Sequence, residues 1–242
     1  MRKFAFLMAL AAICIAAPSC DFVGGERVRG NGNMKTENRQ AAGFTGISSH
    51  GSFDVFLDQG TAYSIRVEAD ENLLPYIETE VRGNSLEIST RDGYSLDSRN
   101  NIRIYVTAPA FNTVKNYGSG NILAETKLTN TSPMEVDLTG SGDIRMDVNA
   151  PDVSADLTGS GVIDLNGETR NFSAHITGSG DIKAGDLKAE NADIEIMGSG
   201  SVDIYASVKL QAGIRGSGDI RYRGTAEVNK DISGSGNVRK ID

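Results

Sequence analysis

The tripeptide Gly-Ser-Gly recurs seven times in the C-terminal half of the chain and is followed each time, two residues on, by Ile or Val. Successive copies lie 22, 19, 19, 20, 18 and 18 residues apart. Self-similarity at this period indicates a solenoid, in which each repeat buries its apolar face against the next. The glycines of the seven copies are Gly118, Gly120, Gly140, Gly142, Gly159, Gly161, Gly178, Gly180, Gly198, Gly200, Gly216, Gly218, Gly234 and Gly236.

Apolar residues alternate with polar ones on both sides of each tripeptide, which is the pattern of a strand with one buried face. Units of 18 to 22 residues are too short for strand-plus-helix repeats and predict a parallel β-helix, whose like positions stack about 4.8 Å apart. The glycines are then sharp corners, because glycine accepts positive φ and close backbone approach. A flexible linker is the alternative, but the apolar columns oppose it. No copy continues as G-x-G-x-x-G or to Lys-Ser/Thr, so the phosphate-loop interpretation fails.

The residue five positions after the first glycine alternates in charge from Arg145 to Arg221, which predicts a ladder of opposite charges along the outside of the stack. Asn116 in the first copy and Lys230 in the last occupy columns that are apolar elsewhere. We interpret these two polar residues as edge residues that discourage the exposed sheet edges at the ends of the solenoid from pairing with another chain.

The N-terminus begins with Arg2 and Lys3, followed by an apolar run and then Ala17-Pro18-Ser19-Cys20. A basic start, a short apolar core and small residues before a cleavage site are typical of a secretory signal. The last four residues resemble a bacterial lipobox, so residues 1–19 are predicted to be removed and Cys20 to be lipidated; an ordinary signal with an unpaired Cys20 is the alternative. Residues 20–43 are polar and glycine-rich and predict a flexible tether.

Residues 44–242 are predicted to form one β domain, with residues 44–116 a β-sheet region and residues 117–242 the regular coils. The segment Gly51–Val55 resembles an earlier, degenerate corner, and Pro75 limits a short helical turn within Asp70–Tyr76. We expect the N-terminal region to continue the solenoid and to cover its N-terminal end. Its predicted strands are Phe44–Ile47, Phe53–Leu57, Tyr63–Glu68, Ile77–Val81, Leu86–Thr90 and Ile102–Thr107.

Several of these segments together resemble the auto-transporter adhesin head domain, or GIN domain, common in exported lipoproteins of Bacteroidetes. They are Phe44–Ile47, Gly51–Val55, the Val67–Leu73 segment Val-Glu-Ala-Asp-Glu-Asn-Leu, and the serial Gly-Ser-Gly-Asp-Ile copies. The resemblance spans Phe44 to the C-terminus and implies a right-handed parallel β-helix in the cell envelope. It brings no catalytic residues with it.

Catalytic and metal-binding patterns are sparse in this sequence. His175 falls in an outward column between Asp156 and Glu195, but one His without a second His or a Cys is a weak metal site. Asp137 and Asp156 share a column, yet no polygalacturonase-type cluster accompanies them. Asp143, Asp181 and Asp219 are weak Ca²⁺ candidates in every second coil. With no Trp, sugar-stacking aromatics are few, and Tyr205 and Tyr222 are the nearest.

Composition limits the partners, because a formal charge of −8 with no basic stripe opposes nucleic-acid binding. We therefore expect a non-enzymatic, lipid-anchored envelope protein without a cofactor, whose rigid face binds an envelope protein, a surface protein or a polysaccharide, as an adhesin does. An outer-membrane location is expected. The alternatives are a carbohydrate-active β-helix enzyme of the pectate lyase or polygalacturonase type and a self-assembling structural module.

Overall fold

The computed structural model describes residues 25–241, which are almost entirely β-structure. One 3-10 helix lies among them, at Leu74–Tyr76, where Pro75 was predicted to limit a turn. The strands are β1 Glu26–Arg29, β2 Met34–Arg39, β3 Gly46–Gly51, β4 Asp54–Gln59, β5 Ser64–Asp70, β6 Ile77–Arg82, β7 Ser85–Thr90, β8 Tyr94–Asp97, β9 Arg103–Ala108, β10 Thr113–Gly118, β11 Asn121–Ala124, β12 Leu128–Thr129, β13 Met134–Gly140, β14 Asp143–Gly159, β15 Val162–Gly178, β16 Asp181–Gly198, β17 Ser201–Gly216, β18 Asp219–Arg223, β19 Glu227–Gly234 and β20 Asn237–Lys240.

These strands stack as the coils of a parallel β-solenoid, which confirms the predicted fold class. The segments that lead into the corners form one face, which we call the pre-corner face. It runs in the order β7, β3, β10, β13, the second halves of β14 to β17, and β19. The segments that follow the corners form the post-corner face, in the order β9, β4, β11, the first halves of β14 to β17, β18 and β20.

The Gly-Ser-Gly tripeptides form the corner between the two faces. In the copy at Gly178, the φ angle is +127°. The carbonyl oxygen of Gly159, in the preceding coil, accepts hydrogen bonds from the N–H groups of Ser179 (2.9 Å) and Gly180 (3.0 Å). A β-carbon on Gly178 would lie 2.5 Å from that same oxygen. The corner therefore needs glycine for its backbone angle and for the closeness of the neighbouring coil.

Aliphatic columns on both sides of the corner fill the interior, as the alternation predicts. In the column that follows the corner, Ile163 and Ile182 are adjacent in register and fully buried. In the column that precedes the corner, Ile176 and Ile196 are also adjacent and fully buried. Differences in coil length are absorbed away from the corner, as at the register shift between Ala184 and Lys188. The corners and the two main faces therefore stay aligned from coil to coil.

The predicted ladder of opposite charges lies on the post-corner face. Arg145, Asp164, Lys183, Asp203 and Arg221 occupy matching positions in successive coils. The Arg145 guanidinium lies 3.3 Å from Asp164, and the Arg221 Nη2 lies 3.0 Å from Asp203. Because these pairs are at the surface, each contributes about 1 kcal/mol or less.

Antiparallel strands close the N-terminal end of the stack. Strand β5 pairs antiparallel with β9 and with β2, and β6 pairs antiparallel with β7. The early corner at Gly51 is also real, since Gly51 aligns with Gly118 and Val55 with Ile122. The expectation that this region continues the solenoid and covers its end is confirmed, and parallel stacking starts at residue 46, well before residue 117.

The flexible tether predicted for residues 20–43 is wrong over residues 26–39, which belong to two strands. Strand β1 pairs with β8, and β2 pairs with β5. The buried carboxylate of Asp70 accepts hydrogen bonds from the Asn100 side chain (2.9 Å) and the Arg99 N–H (3.1 Å). Asn72 accepts from the Asn31 N–H and donates to the Arg29 carbonyl. Backbone pairing and these two side chains thus hold a segment whose composition alone indicates disorder.

The interpretation of Asn116 as an edge residue is also wrong, because strand β3 covers its coil. Asn116 is buried, and its side-chain amide donates to the Gly120 carbonyl at 2.6 Å. Lys230 does lie in the last coil, where its ammonium donates to the Val238 carbonyl at 2.7 Å. That contact satisfies one backbone group at the C-terminal end of the stack.

The predicted signal peptide at residues 1–19 and the lipidation site at Cys20 lie outside the described residues. Within residues 25–241, no helix has the length and hydropathy needed to cross a bilayer.

Candidate binding groove

A groove of about 450 Å³ runs along the outside of the pre-corner face, parallel to the solenoid axis. It crosses several coils from Pro133 to Lys209, and its two walls are columns of outward side chains separated by one inward column. One wall, which we call the amide row, is Asp152, Asn171, Asn191 and Lys209. The other, which we call the open row, is Ser154, Ser173, Asp193 and Gln211.

The amide row is ordered by its own hydrogen bonds. Asn191 donates from Nδ2 to the Asn171 Oδ1 at 3.0 Å, and Asn171 donates from Nδ2 to the Asp152 Oδ1 at 2.7 Å. Parallel stacking aligns these three residues one per coil. Both amides donate in the same direction, so the row has a polarity along the groove, and three of its four side chains are hydrogen-bonded to one another without a ligand.

The open row contrasts with it, since none of its four side chains hydrogen-bonds to another group within residues 25–241. Ser154, Ser173, Asp193 and Gln211 nevertheless align in successive coils. Between the two rows the floor follows the backbone at Val153, Phe172 and Ala192, whose side chains point into the core. The groove thus offers one hydrogen-bonded polar wall, one wall of available hydroxyl, carboxylate and amide groups, and a narrow floor of strand backbone.

His175 lies beside the groove, between the two carboxylates that the sequence predicts. Its Nδ1 is 3.3 Å from the Asp156 Oδ1, and its Nε2 is 3.9 Å from the Glu195 Oε2. Arg215 forms a further ion pair with Glu195. The His175 side chain is 48% exposed, so the arrangement is a solvated surface chain of charges. Within the described residues, no three His, Cys, Asp or Glu side chains come together in a way that could hold a metal ion.

Asp137 and Asp156 are adjacent in register, as expected from their shared column. The Lys115 ammonium lies 2.7 Å from Glu135 and 3.4 Å from Asp137. Its hydrogen bond to Glu135, together with the charges of both carboxylates, raises the pKa of Lys115 above its usual value despite partial burial. The Asp137 carboxylate is thus already engaged by an ammonium group.

The three weak Ca²⁺ candidates lie on the post-corner face and do not meet. Asp143, Asp181 and Asp219 are separated by Val162 and Ser201 in the intervening coils. Two strand spacings, or about 9.6 Å, therefore lie between successive candidates. Asp181 instead accepts hydrogen bonds from the hydroxyl (2.6 Å) and the N–H (3.2 Å) of Ser201.

The two tyrosines that the sequence suggests for sugar stacking are both engaged by other groups. Tyr222 is partly buried against the core, as its inward column predicts, and the Lys188 ammonium lies 4.3 Å from the centre of the Tyr205 ring. Sequence reasoning missed a stack in which Phe56 and Tyr105 lie 4.9 Å apart, with the Arg66 guanidinium 3.8 Å from the Tyr105 ring centre. Because Tyr105 and Arg66 cover ring faces in this stack, it is a cross-strand ladder with little open ring face.

Comparison with known proteins identifies the family. The family described as "Putative auto-transporter adhesin, head GIN domain" matches residues 43–226. The chain belongs to this family. Among curated proteins, none matches the chain.

Solved structures of similar proteins share this fold. A "Putative lipid binding protein" from Parabacteroides distasonis is 30% identical, with a TM-score of 0.76, and the match covers 90% of this chain and 100% of that one. A "putative adhesin" from Parabacteroides merdae is 25% identical, with a TM-score of 0.71 and coverage of 90% and 100%. A "putative adhesin" from Bacteroides fragilis, 22% identical, has a TM-score of 0.84 and coverage of 88% and 100%, and it supports the fold alone.

Proposed function

We propose that this GIN-domain chain is a non-enzymatic, lipid-anchored protein of the cell envelope that binds a ligand through the outer surface of its solenoid, in the manner of an adhesin. The observation that carries the proposal is the groove on the pre-corner face, where a fixed amide row faces a row of unengaged polar side chains. Membership of the adhesin head family supports the same class of function.

The filled interior supports binding at the surface. The inward columns on both faces are buried aliphatic and aromatic side chains that pack into one continuous core. A ligand, including a lipid of the kind named for the Parabacteroides distasonis relative, is therefore expected to bind on the outside of the solenoid.

The arrangement of charges supports a role without catalysis. His175 and its neighbouring carboxylates are solvent-exposed, and Asp137 is paired with Lys115. General acid–base chemistry on a glycan calls for two carboxyl groups placed across a bound substrate, one of them with a raised pKa. Asp137 is instead held by the Lys115 ammonium, and Asp156 lies beside the exposed His175.

The anchor belongs to the proposal as well. Lipidation of Cys20 leaves five peptide units between the lipid and Gly25, an extended reach of at most about 18 Å. Since β1 and β2 are paired into the fold, the domain is held close to the membrane instead of at the end of a long tether. Replacing Cys20 with Ser is expected to release the protein from the membrane fraction.

The proposal is tested by incubating the full chain, in detergent, with polysaccharides and with envelope extracts, and by measuring both retention and new reducing ends. Parallel samples contain Ca²⁺ at about the millimolar level of extracellular modules or a chelator. Saturable binding without product, equal in both samples, is expected. New reducing ends would overturn the non-enzymatic role, and loss of binding in chelator would restore Asp143, Asp181 and Asp219 as metal ligands.

A further inference from the structure

We propose that the groove between the amide row and the open row binds an uncharged linear polysaccharide that lies along the solenoid axis. This inference rests on the proposed binding function and names the class of ligand for it. Three properties of the groove lead to this class: its repeat, its charge and its unengaged polar groups.

The repeat of the groove favours a polymer whose units match the coils. Each coil adds one residue to each wall, as Ser154 and Ser173 do on one side and Asp152 and Asn171 on the other. Neighbouring parallel strands lie about 4.8 Å apart, whereas an extended peptide advances only about 3.3 Å per residue. A peptide side chain therefore falls out of step at the first coil, and the residue that comes back into step after two coils, three residues on, points to the opposite side of the peptide. In an extended β-1,4-linked chain each hexopyranose ring advances by roughly one strand spacing, so each ring meets one residue of each wall.

The charge of the groove selects against anionic polymers. Asp152 and Asp193 stand in opposite walls, and Lys209 is the one basic residue that lines the groove. Uronate-rich polysaccharides and nucleic acids would bring like charges against these carboxylates, which is unfavourable. An uncharged polymer avoids this repulsion and still offers hydroxyl groups to the carboxylates.

The unengaged groups supply the binding interactions. Ser173, Asp193 and Gln211 make no hydrogen bond to other groups of residues 25–241, so a ligand gains contacts there without breaking existing ones. The amide row is already ordered by its internal bonds, which lowers the entropic cost of binding. Both walls thus favour a ligand rich in hydroxyl groups.

The test uses the full chain in detergent and three classes of probe: neutral β-1,4-linked cello-oligosaccharides and glucomannan, neutral chitin-derived oligosaccharides, and the anionic polymers alginate and polygalacturonate. Two variants of strand β15 are compared. Ser173→Tyr fills the groove, and Thr177→Tyr places the same side chain on the same outward face, four residues further on and outside the groove. Binding is measured by calorimetry, and folding is monitored by circular dichroism.

We expect at least one neutral probe to bind the unaltered chain. Ser173→Tyr is expected to weaken the affinity for that probe at least about tenfold, and Thr177→Tyr is expected to bind it within about twofold of the unaltered chain. All three proteins are expected to have the same melting temperature. Equal weakening by both variants, no weakening by either, or a preference for the anionic polymers would overturn the inference. Retention of an envelope protein with no polysaccharide binding would overturn the ligand class but leave the proposed function standing. Binding of neither polysaccharide nor extract would contradict both.

Discussion

Replacing one corner glycine tests how the coils are held in register. Gly178 adopts a φ of +127°, and a β-carbon there would lie 2.5 Å from the Gly159 carbonyl oxygen and 3.2 Å from its nitrogen. The Gly178→Ala change forces an alanine into a backbone region that costs about 1–3 kcal/mol. It also displaces an oxygen that accepts two hydrogen bonds, from Ser179 and Gly180, each of which contributes about 1 kcal/mol. We therefore expect a loss of about 3 kcal/mol or more.

The chain offers a matched control at Gly213, near the C-terminal end of strand β17. A β-carbon at Gly213 would have its nearest neighbours at 3.7 Å, and the backbone there is not left-handed. Gly213→Ala is expected to stabilise the fold by about 0.5–1 kcal/mol, because alanine loses less backbone entropy than glycine in a strand. The measurement is urea unfolding of the full chain followed by far-UV circular dichroism, with a thermal scan beside it.

At this chain length each kcal/mol of lost unfolding free energy lowers the thermal midpoint by about 2–4 °C. Gly178→Ala is therefore expected to melt about 6–12 °C lower than the unaltered chain. Gly213→Ala is expected to melt at the same temperature or slightly higher. If the two variants unfolded at the same midpoint, the corner would tolerate a side chain and the explanation of the repeated glycines would be refuted.

Three further predictions concern the core, acid stability and the membrane. Ile182→Asp buries an unpaired charge and is expected to cost well over about 3 kcal/mol, whereas the adjacent exposed Lys183→Asp is expected to cost under about 1 kcal/mol; comparable urea midpoints would show that the two faces are wrongly assigned. Burial opposes ionisation of Asp70, but hydrogen bonds from Asn100 and its neighbours outweigh it and lower the pKa of Asp70. Its stabilising contribution is therefore complete above the unfolded pKa of about 3.9 and is lost as pH falls through the lower folded pKa. The stability gap between the unaltered chain and Asp70→Asn is expected to shrink in that acid range, and a gap that widened there would contradict the sign of the shift. Cys20→Ser is expected to abolish incorporation of labelled palmitate and sedimentation with membranes, and an unchanged pattern would rule out the anchor.

The regular coils could be predicted from the sequence because their determinants are local. Each copy carries its own corner glycines and its own alternating columns, so alignment of the copies also gives the register. The neighbours of His175 and the charge order from Arg145 to Arg221 follow from that alignment. Both predictions required only the count of residues from each corner.

The N-terminal segment could not be predicted, because its order depends on distant residues. Composition makes residues 26–39 resemble a linker, but β2 pairs with β5, about thirty residues away. Asp70 lies against Gly30, where any β-carbon would overlap its carboxylate. The sequence does contain a signal for this contact in the Ala-Asp-Glu-Asn segment, whose Asp70 and Asn72 bind the 29–33 and 98–100 segments.

The groove was missed for a related reason. Asn171 and Ser173 are ordinary polar residues in one coil, and their value as a site arises from the same positions in neighbouring coils. The amide row would have been visible from the alignment as a column of Asp152, Asn171 and Asn191, seven residues before each corner glycine. The Phe56 and Tyr105 stack, in contrast, joins residues 49 positions apart in a region without regular repeats.

The most direct test of the binding groove is a map of the residues that a ligand touches. Isotope-labelled full chain is titrated with a neutral oligosaccharide, and the amide chemical shifts are followed by nuclear magnetic resonance. We predict that the saturable shifts cluster at Ser154, Ser173, Asp193 and Gln211 and in the side-chain amides of Asn171 and Asn191. Shifts confined to the post-corner face, or no shifts at saturating ligand, would contradict the assignment of this groove as the binding surface.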